Sequence, residues 1–265
     1  MSKSNNYLAI IEKIFFSHYQ EGMREFEFDR TEIALMAAEL EIDIPKNVGD
    51  VIYSVRYRID LPKKITDTAE LGYEWIISGV KRAGYKFHQV KMNRVVPRDD
   101  LITIKIPDAT PEIIERYALS DEQALLAKVR YNRLIDTFLG ITASSLQNHL
   151  RTTVKGIGQI EIDEIYVAVD KFGRQFVIPV QAKGGNDKHA VVQTKQDILC
   201  CAEKFPQLIC KAVSAQFMSN NKIAMFELIV QDDEVKIVDE KHYLLVSSSS
   251  ITDSDIIQYS QLAKP

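Results

Sequence analysis

Residues 159 to 182 constrain this chain more than any other stretch. Gln159 to Val169 carries alternating Ile160 and Ile162, then Ile165, Val167 and Val169. Asp170-Lys171-Phe172-Gly173 supplies a turn, and Gln175 to Ala182 is a second strand-forming run. Two such runs about a glycine-marked turn predict an antiparallel hairpin. Side chains on a strand alternate faces, so Glu161 and Asp163 share one face and Glu164 points the other way. Asp163 and Gln181 lie about equally far from the tip, so pairing sets them side by side. Lys183 shares the face of Gln181.

The flanking pattern extends this hairpin into a larger unit. Ser120-Asp121-Glu122-Gln123 reads as a capping box opening a helix to about Leu139, and Leu146 to Val154 reads as a strand. A helix from about Ala190 to Phe205 and a strand from Leu208 to Phe217 follow. The order is αβββαβ, with further strands at Ile223 to Val230 and Val235 to Val246. Ser247 to Ser250 reads as a loop before a final helix.

The N-terminal part has another rhythm. Tyr7 to Tyr19 is apolar at helical spacing through Leu8, Ile11, Ile14 and Phe15. Asp29 can cap a second helix from Arg30 to Leu40, and Pro45 and Asn47 introduce a third over about Val48 to Arg58. Tyr73 to Ile77 and Tyr85 to Val90 then flank a turn with Gly79 and Gly84, which predicts a hairpin whose core holds Tyr73, Trp75 and Phe87. Three helices and a hairpin are the order of a winged helix-turn-helix. Pro97, Pro107 and Pro111 mark the change of pattern, so the expected division is a domain over 1–92, a linker over 93–118 and a second domain over 119–265. The fold class is α/β, α+β overall.

Composition removes some classes of function. A net charge of −4 argues against a molecule coated in positive potential, although a local basic patch can still meet a polyanion. No run approaches the roughly 20 apolar residues of a membrane span, and the polar start does not read as a signal peptide. Cys200, Cys201 and Cys210 lack CxxC spacing and are odd in number, which fits reduced thiols in a cytoplasmic protein.

Phosphodiester hydrolysis needs a divalent cation, an activated water and positioning, and hard Mg²⁺ favours oxygen ligands. Asp163 on one strand, with Gln181-Ala182-Lys183 on the next, supplies carboxylate, amide oxygen, carbonyl and ammonium groups. With the αβββαβ order and an eighteen-residue separation, the chain resembles the PD-(D/E)xK nuclease superfamily, the restriction-endonuclease-like fold. The resemblance implies a Mg²⁺-dependent DNA endonuclease of restriction or defence type, with Mn²⁺ able to substitute. It implies Asp163, Gln181 and Lys183 as catalytic residues, with Glu122 as the helix acid. Asp163, Gln181 and the Ala182 carbonyl would hold the metal, and Glu161 could supply the charge that a neutral amide lacks. The chain departs from the family where Gln181 replaces the usual Asp or Glu. Gln193 and Gln196 could face the same site.

A cutter that chooses its place needs a reader. Residues 46–91 hold nine Lys or Arg against five acids, whereas residues 1–45 hold four against nine. Ser54, Arg56 and Arg58 on the third helix, Lys63 and Lys64 after it, and Lys81, Arg82 and Lys86 on the hairpin are the expected contacts to double-stranded DNA. The resemblance also implies a homodimer. Two other readings stay open: a DNA-binding regulator whose nuclease-like domain is inactive, for which Gln181 argues, and a structure-selective recombination or repair nuclease. In the plainest reading, Asp163 and Lys183 are only a cross-strand ion pair.

Overall fold

A computed structural model describes residues 3–44, 47–57, 59–91, 94–117, 122–184 and 189–262. The chain divides into two compact units. One holds residues 1–95, 152–160 and 190–196, and the other holds 96–151, 161–189 and 197–265.

The first unit opens with α1 (Lys3–His18). Tyr7, Ile10, Ile11, Ile14 and Phe15 recur at helical spacing and are all buried, each worth about 1.5–3 kcal/mol when fully removed from water. Strand β1 (Glu25–Asp29) follows, then α2 (Arg30–Glu39), α3 (Gly49–Tyr57) and the four-residue α4 (Lys63–Thr66). The Glu32 carboxylate accepts the Asp29 N–H at 2.7 Å, which fixes the start of α2. The hairpin is β2 (Glu74–Lys81) and β3 (Gly84–Val90), followed by the short β4 (Arg94–Val95).

The sheet has the order β1-β3-β2, antiparallel throughout. Helix spacing alone passes over β1, whose Glu-Phe-Glu-Phe-Asp alternation turns Phe26 and Phe28 inward. Phe15, Trp75 and Phe87 centre the core, with the Phe15 ring 5.1 Å from each of the other two. Tyr73 sits at its margin, under the Arg24 guanidinium.

The second unit is built on an eight-stranded mixed sheet. Its elements are β5 (Thr103–Pro107), α5 (Glu112–Tyr117), α6 (Glu122–Tyr131), α7 (Leu134–Leu139), β6 (Thr142–Val154), β7 (Gly158–Val169) and β8 (Gln175–Lys183). Then come β9 (His189–Ala190) and α8 (Val191–Lys204), whose residues 190–196 belong to the first unit, and β10 (Ile209–Cys210), β11 (Ala212–Phe217), β12 (Lys222–Gln231), β13 (Glu234–Val246) and α9 (Asp253–Leu262). The strand order is β5-β13-β12-β11-β8-β7-β6, with β10 also on β8. β7 and β8 are antiparallel, β8 and β11 parallel, and β11 and β12 antiparallel. Ile178, Val180 and Ala182 of β8 pack with Val213 and Ala215 of β11 and with Leu125, Leu126 and Val129 of α6, forming the core of this unit.

Two local expectations meet a different chain path. Residues 93–118, read above as a linker, contain β5, which pairs in parallel with β13 from His242↔Thr103 to Val246↔Pro107. The Thr-Ile-Lys-Ile alternation makes that strand, and Pro107 closes it at a sheet edge, where no ladder N–H is required. The single helix expected to Leu139 is broken into α6 and α7. Arg133 takes a left-handed backbone with φ 49°, and the Asn132 amide donates to the Lys128 carbonyl at 3.0 Å, closing off α6. Ser120 and Asp121 of the expected capping box lie outside the described residues. Among the described residues no helix is long and apolar enough to cross a membrane.

Candidate active site

The β7–β8 ladder runs from Val169↔Gln175 to Glu164↔Val180. Beyond that pair, side chains take over the bonding. Asp163 Oδ2 accepts the Ala182 N–H at 2.8 Å, and Gln181 Nε2 donates to the Glu161 carbonyl at 3.1 Å. In an extended strand the N–H and C=O of one residue face the same neighbour, so the Ala182 carbonyl also faces the Asp163 strand. The fork between the two strands therefore collects a carboxylate, an amide and a backbone carbonyl.

Lys183 and Glu122 complete the cluster. Lys183 Nζ donates to Glu122 Oε1 at 3.2 Å, with the Lys183 side chain 11% exposed. Burial pushes the Asp163 carboxyl up to about 6. The nearby Lys183 ammonium and the Ala182 N–H oppose that rise, and Glu122 adds to it. Asp163 is thus desolvated more than its cationic neighbour compensates.

Behind the fork lies a polar row that the sequence reading passes over. Gln181, Asp197, Ser214 and Gln216 are all buried. Gln181 Nε2 donates to Asp197 Oδ2 at 3.0 Å, from β8 to α8. Burial holds the Asp197 carboxyl well above the usual range, against the lowering effect of the Gln181 hydrogen bond. On β11, Ser214 stands opposite Gln181 and Gln216 opposite Lys183. Polar Ser214 and Gln216 alternate with core Val213 and Ala215, and that period is the signal that could have found them. Asp197 carries no such signal, because any helix offers acids at many positions.

The neighbouring acids behave differently. The Glu161 carboxylate turns to His149 at 3.3 Å and Arg151 at 3.2 Å, so only its backbone carbonyl joins the Gln181 network. Glu164 faces α6, fully buried, where Oε1 accepts from Arg130 Nε at 2.9 Å and from Ser145 Oγ. Gln193 lies in the first unit, where its side-chain oxygen accepts the Ala190 N–H at 3.4 Å.

Oxygen donors predominate in the fork, and they fit a hard divalent cation. Asp163, Gln181 and the Ala182 carbonyl form the mixed carboxylate, amide and backbone set that Mg²⁺ accepts alongside water. The desolvated Asp163 carboxyl is the group such a cation would neutralise. Among the described residues, no three His, Cys, Asp or Glu side chains gather into a metal-holding group.

The described residues expected to read DNA fall into three sets. Lys63, Lys64 and Lys86 are committed to Asp67, Glu12 and Glu25 at 2.7, 2.7 and 2.9 Å. Lys81 and Arg82 stand exposed at the tip of the β2–β3 hairpin. Ser54 is half-buried, and Arg56 lines a cavity with Asp60, Tyr73, Glu74 and Trp75 instead of projecting outward. Arg58 lies outside the described residues. Comparison with family models, curated proteins and solved structures finds no match to this chain.

Proposed function

We propose that this chain is a Mg²⁺-dependent DNA endonuclease, of restriction or related defence type, that hydrolyses phosphodiester bonds at the β7–β8 fork. The observation that carries the reading is the end of the ladder at Glu164↔Val180. There Asp163 captures the Ala182 N–H, and Lys183 stands one residue further on. A sheet needing only an edge ion pair has no reason to open its backbone pairing around a half-buried carboxyl. The order α6-α7-β6-β7-β8-β9-α8-β10-β11, with β8 parallel to β11, supports the restriction-endonuclease-like fold.

In this reading Asp163, Gln181 and the Ala182 carbonyl hold Mg²⁺, which Mn²⁺ can replace. A cation held there would supply positive charge for the phosphate and would make a nearby water more acidic. Lys183, restrained by Glu122, would orient the attacking water and favour its deprotonated form. The β1-β3-β2 sheet, with β1 between α1 and α2, supports a winged-helix reader of double-stranded DNA. Lys81 and Arg82 at the wing tip are its best-exposed phosphate contacts. A cytoplasmic homodimer, each copy cutting one strand, follows from the same reading.

The test is incubation of long duplex DNA with and without Mg²⁺, using the unaltered protein, Asp163→Ala and Lys183→Ala. Discrete fragments that require Mg²⁺ and vanish in both variants are expected. A folded protein that binds duplex DNA without cutting it would favour the inactive regulator. Preferential cutting of branched DNA would favour a structure-selective repair nuclease.

A further inference from the structure

The geometry points to Asp197 as the positioning residue that makes the neutral amide of Gln181 serve as an oxygen ligand. The inference rests on the metal-site reading above.

A glutamine amide has two N–H donors and one acceptor oxygen. Both Gln181 donations go to internal acceptors, Asp197 Oδ2 at 3.0 Å and the Glu161 carbonyl at 3.1 Å. The remaining polar group is Oε1. A backbone carbonyl can only accept, so the Glu161 bond alone dictates which end of the amide is nitrogen. Asp197 takes the second hydrogen and stops the amide from rotating about its last torsion. Gln181 is 1% exposed and Asp197 3%, so no water competes freely for those hydrogens. A carboxylate at position 181 would meet two acceptors there, which gives a physical reason for an amide in this fork. Asp197 touches Gln181 and acts through it.

Mn²⁺ binding without DNA, followed by electron paramagnetic resonance, tests the inference separately from cleavage. Asp197→Asn keeps size and an acceptor oxygen, so it should bind Mn²⁺ like the unaltered protein. Asp197→Leu should weaken binding about tenfold, the loss typical when a group supporting a metal ligand is removed. In a Gln181→Ala background, Asp197→Leu should add nothing, because its effect passes through the amide. Unchanged binding in Asp197→Leu, or a further loss in that background, overturns the inference and leaves the nuclease reading intact. No Mn²⁺ binding by the unaltered protein removes the metal-site reading and the inference with it. Hydrogen exchange of the Gln181 side-chain amide in the unaltered protein is a second readout that needs no variant. Two slowly exchanging protons are expected, and fast exchange of either one contradicts the arrangement.

Discussion

Asp163 and Glu164 are adjacent acids on β7, and they serve the two faces of the sheet in opposite ways. Glu164 is fully buried on the α6 face, where Arg130 and Ser145 both meet Oε1. Asp163, on the α8 face, receives one backbone N–H, and burial outweighs its nearby cation, so its carboxyl rises to about 6. A buried acid with a guanidinium and a hydroxyl is a fastener between helix and strand. A half-buried acid left under-compensated is poised to take up a proton or a cation. The two acids differ both in burial and in partners.

The largest expected effect separates the faces by chemistry. Asp163→Asn should lower Mg²⁺-dependent cleavage on the order of 10³-fold, about 4 kcal/mol in the barrier. Glu164→Gln should leave a folded, cutting enzyme, as gel quantification of single-turnover reactions would show. Equal losses in both variants would erase the distinction.

The next effect concerns pH. Because burial raises the Asp163 carboxyl from 3.8 to about 6, the folded chain holds that proton more tightly than the unfolded chain. Its contribution to stability is therefore complete below pH about 4 and declines as pH rises through 6, by about 3 kcal/mol at most. Urea denaturation in chelator across that range should show a steeper decline in the unaltered protein than in Asp163→Asn, where the raised Asp197 carboxyl still contributes its own share. Added Mg²⁺ should offset it above pH 6.

A smaller loss is expected on the Glu164 face. Arg130→Met strands a buried carboxylate, which should cost about 3 kcal/mol, the low end of the usual range because Arg130 is itself 37% exposed. Denaturant midpoints would measure it. The double variant Arg130→Met with Glu164→Leu should recover much of the loss, as an apolar pair replaces an ion pair.

The smallest effect lies at the tip of the β2–β3 hairpin. Lys81→Ala with Arg82→Ala should weaken duplex DNA binding and reduce the slope of log affinity against log salt by about 1–2. Lys63→Ala, whose ammonium already faces Asp67, should change that slope little. A fluorescence anisotropy series at several salt concentrations distinguishes the two.

Legibility in the sequence followed the kind of signal each element carries. The β7–β8 hairpin was readable because alternation and a turn specify both strand and register, and α1 because its apolar stripe repeats at helical spacing. β1 and β5 are five residues each and carry real alternation, yet one lies between two helices and the other among prolines. The break at Arg133 follows from a left-handed backbone and from the buried side chain of Asn132, whose Oδ1 accepts the Ala109 N–H at 2.7 Å. No local pattern reports such a bond. The basic count over 46–91 located a charged region but could not say which cations were already spent on Asp67, Glu12 and Glu25.

By itself the sequence determined which residues share a strand face, and so that Asp163, Gln181 and Lys183 belong to one fork and Glu164 to the opposite side. That is a local property, because side-chain period and turn position are set within some twenty residues. Tertiary structure decided what those groups are worth. It brought Asp197 from α8 onto the Gln181 amide, Glu122 from α6 onto Lys183, and Arg130 onto Glu164. Partners far apart in the chain meet only when the layers pack, and burial and hydrogen bonding at that moment fix the chemistry of each acid.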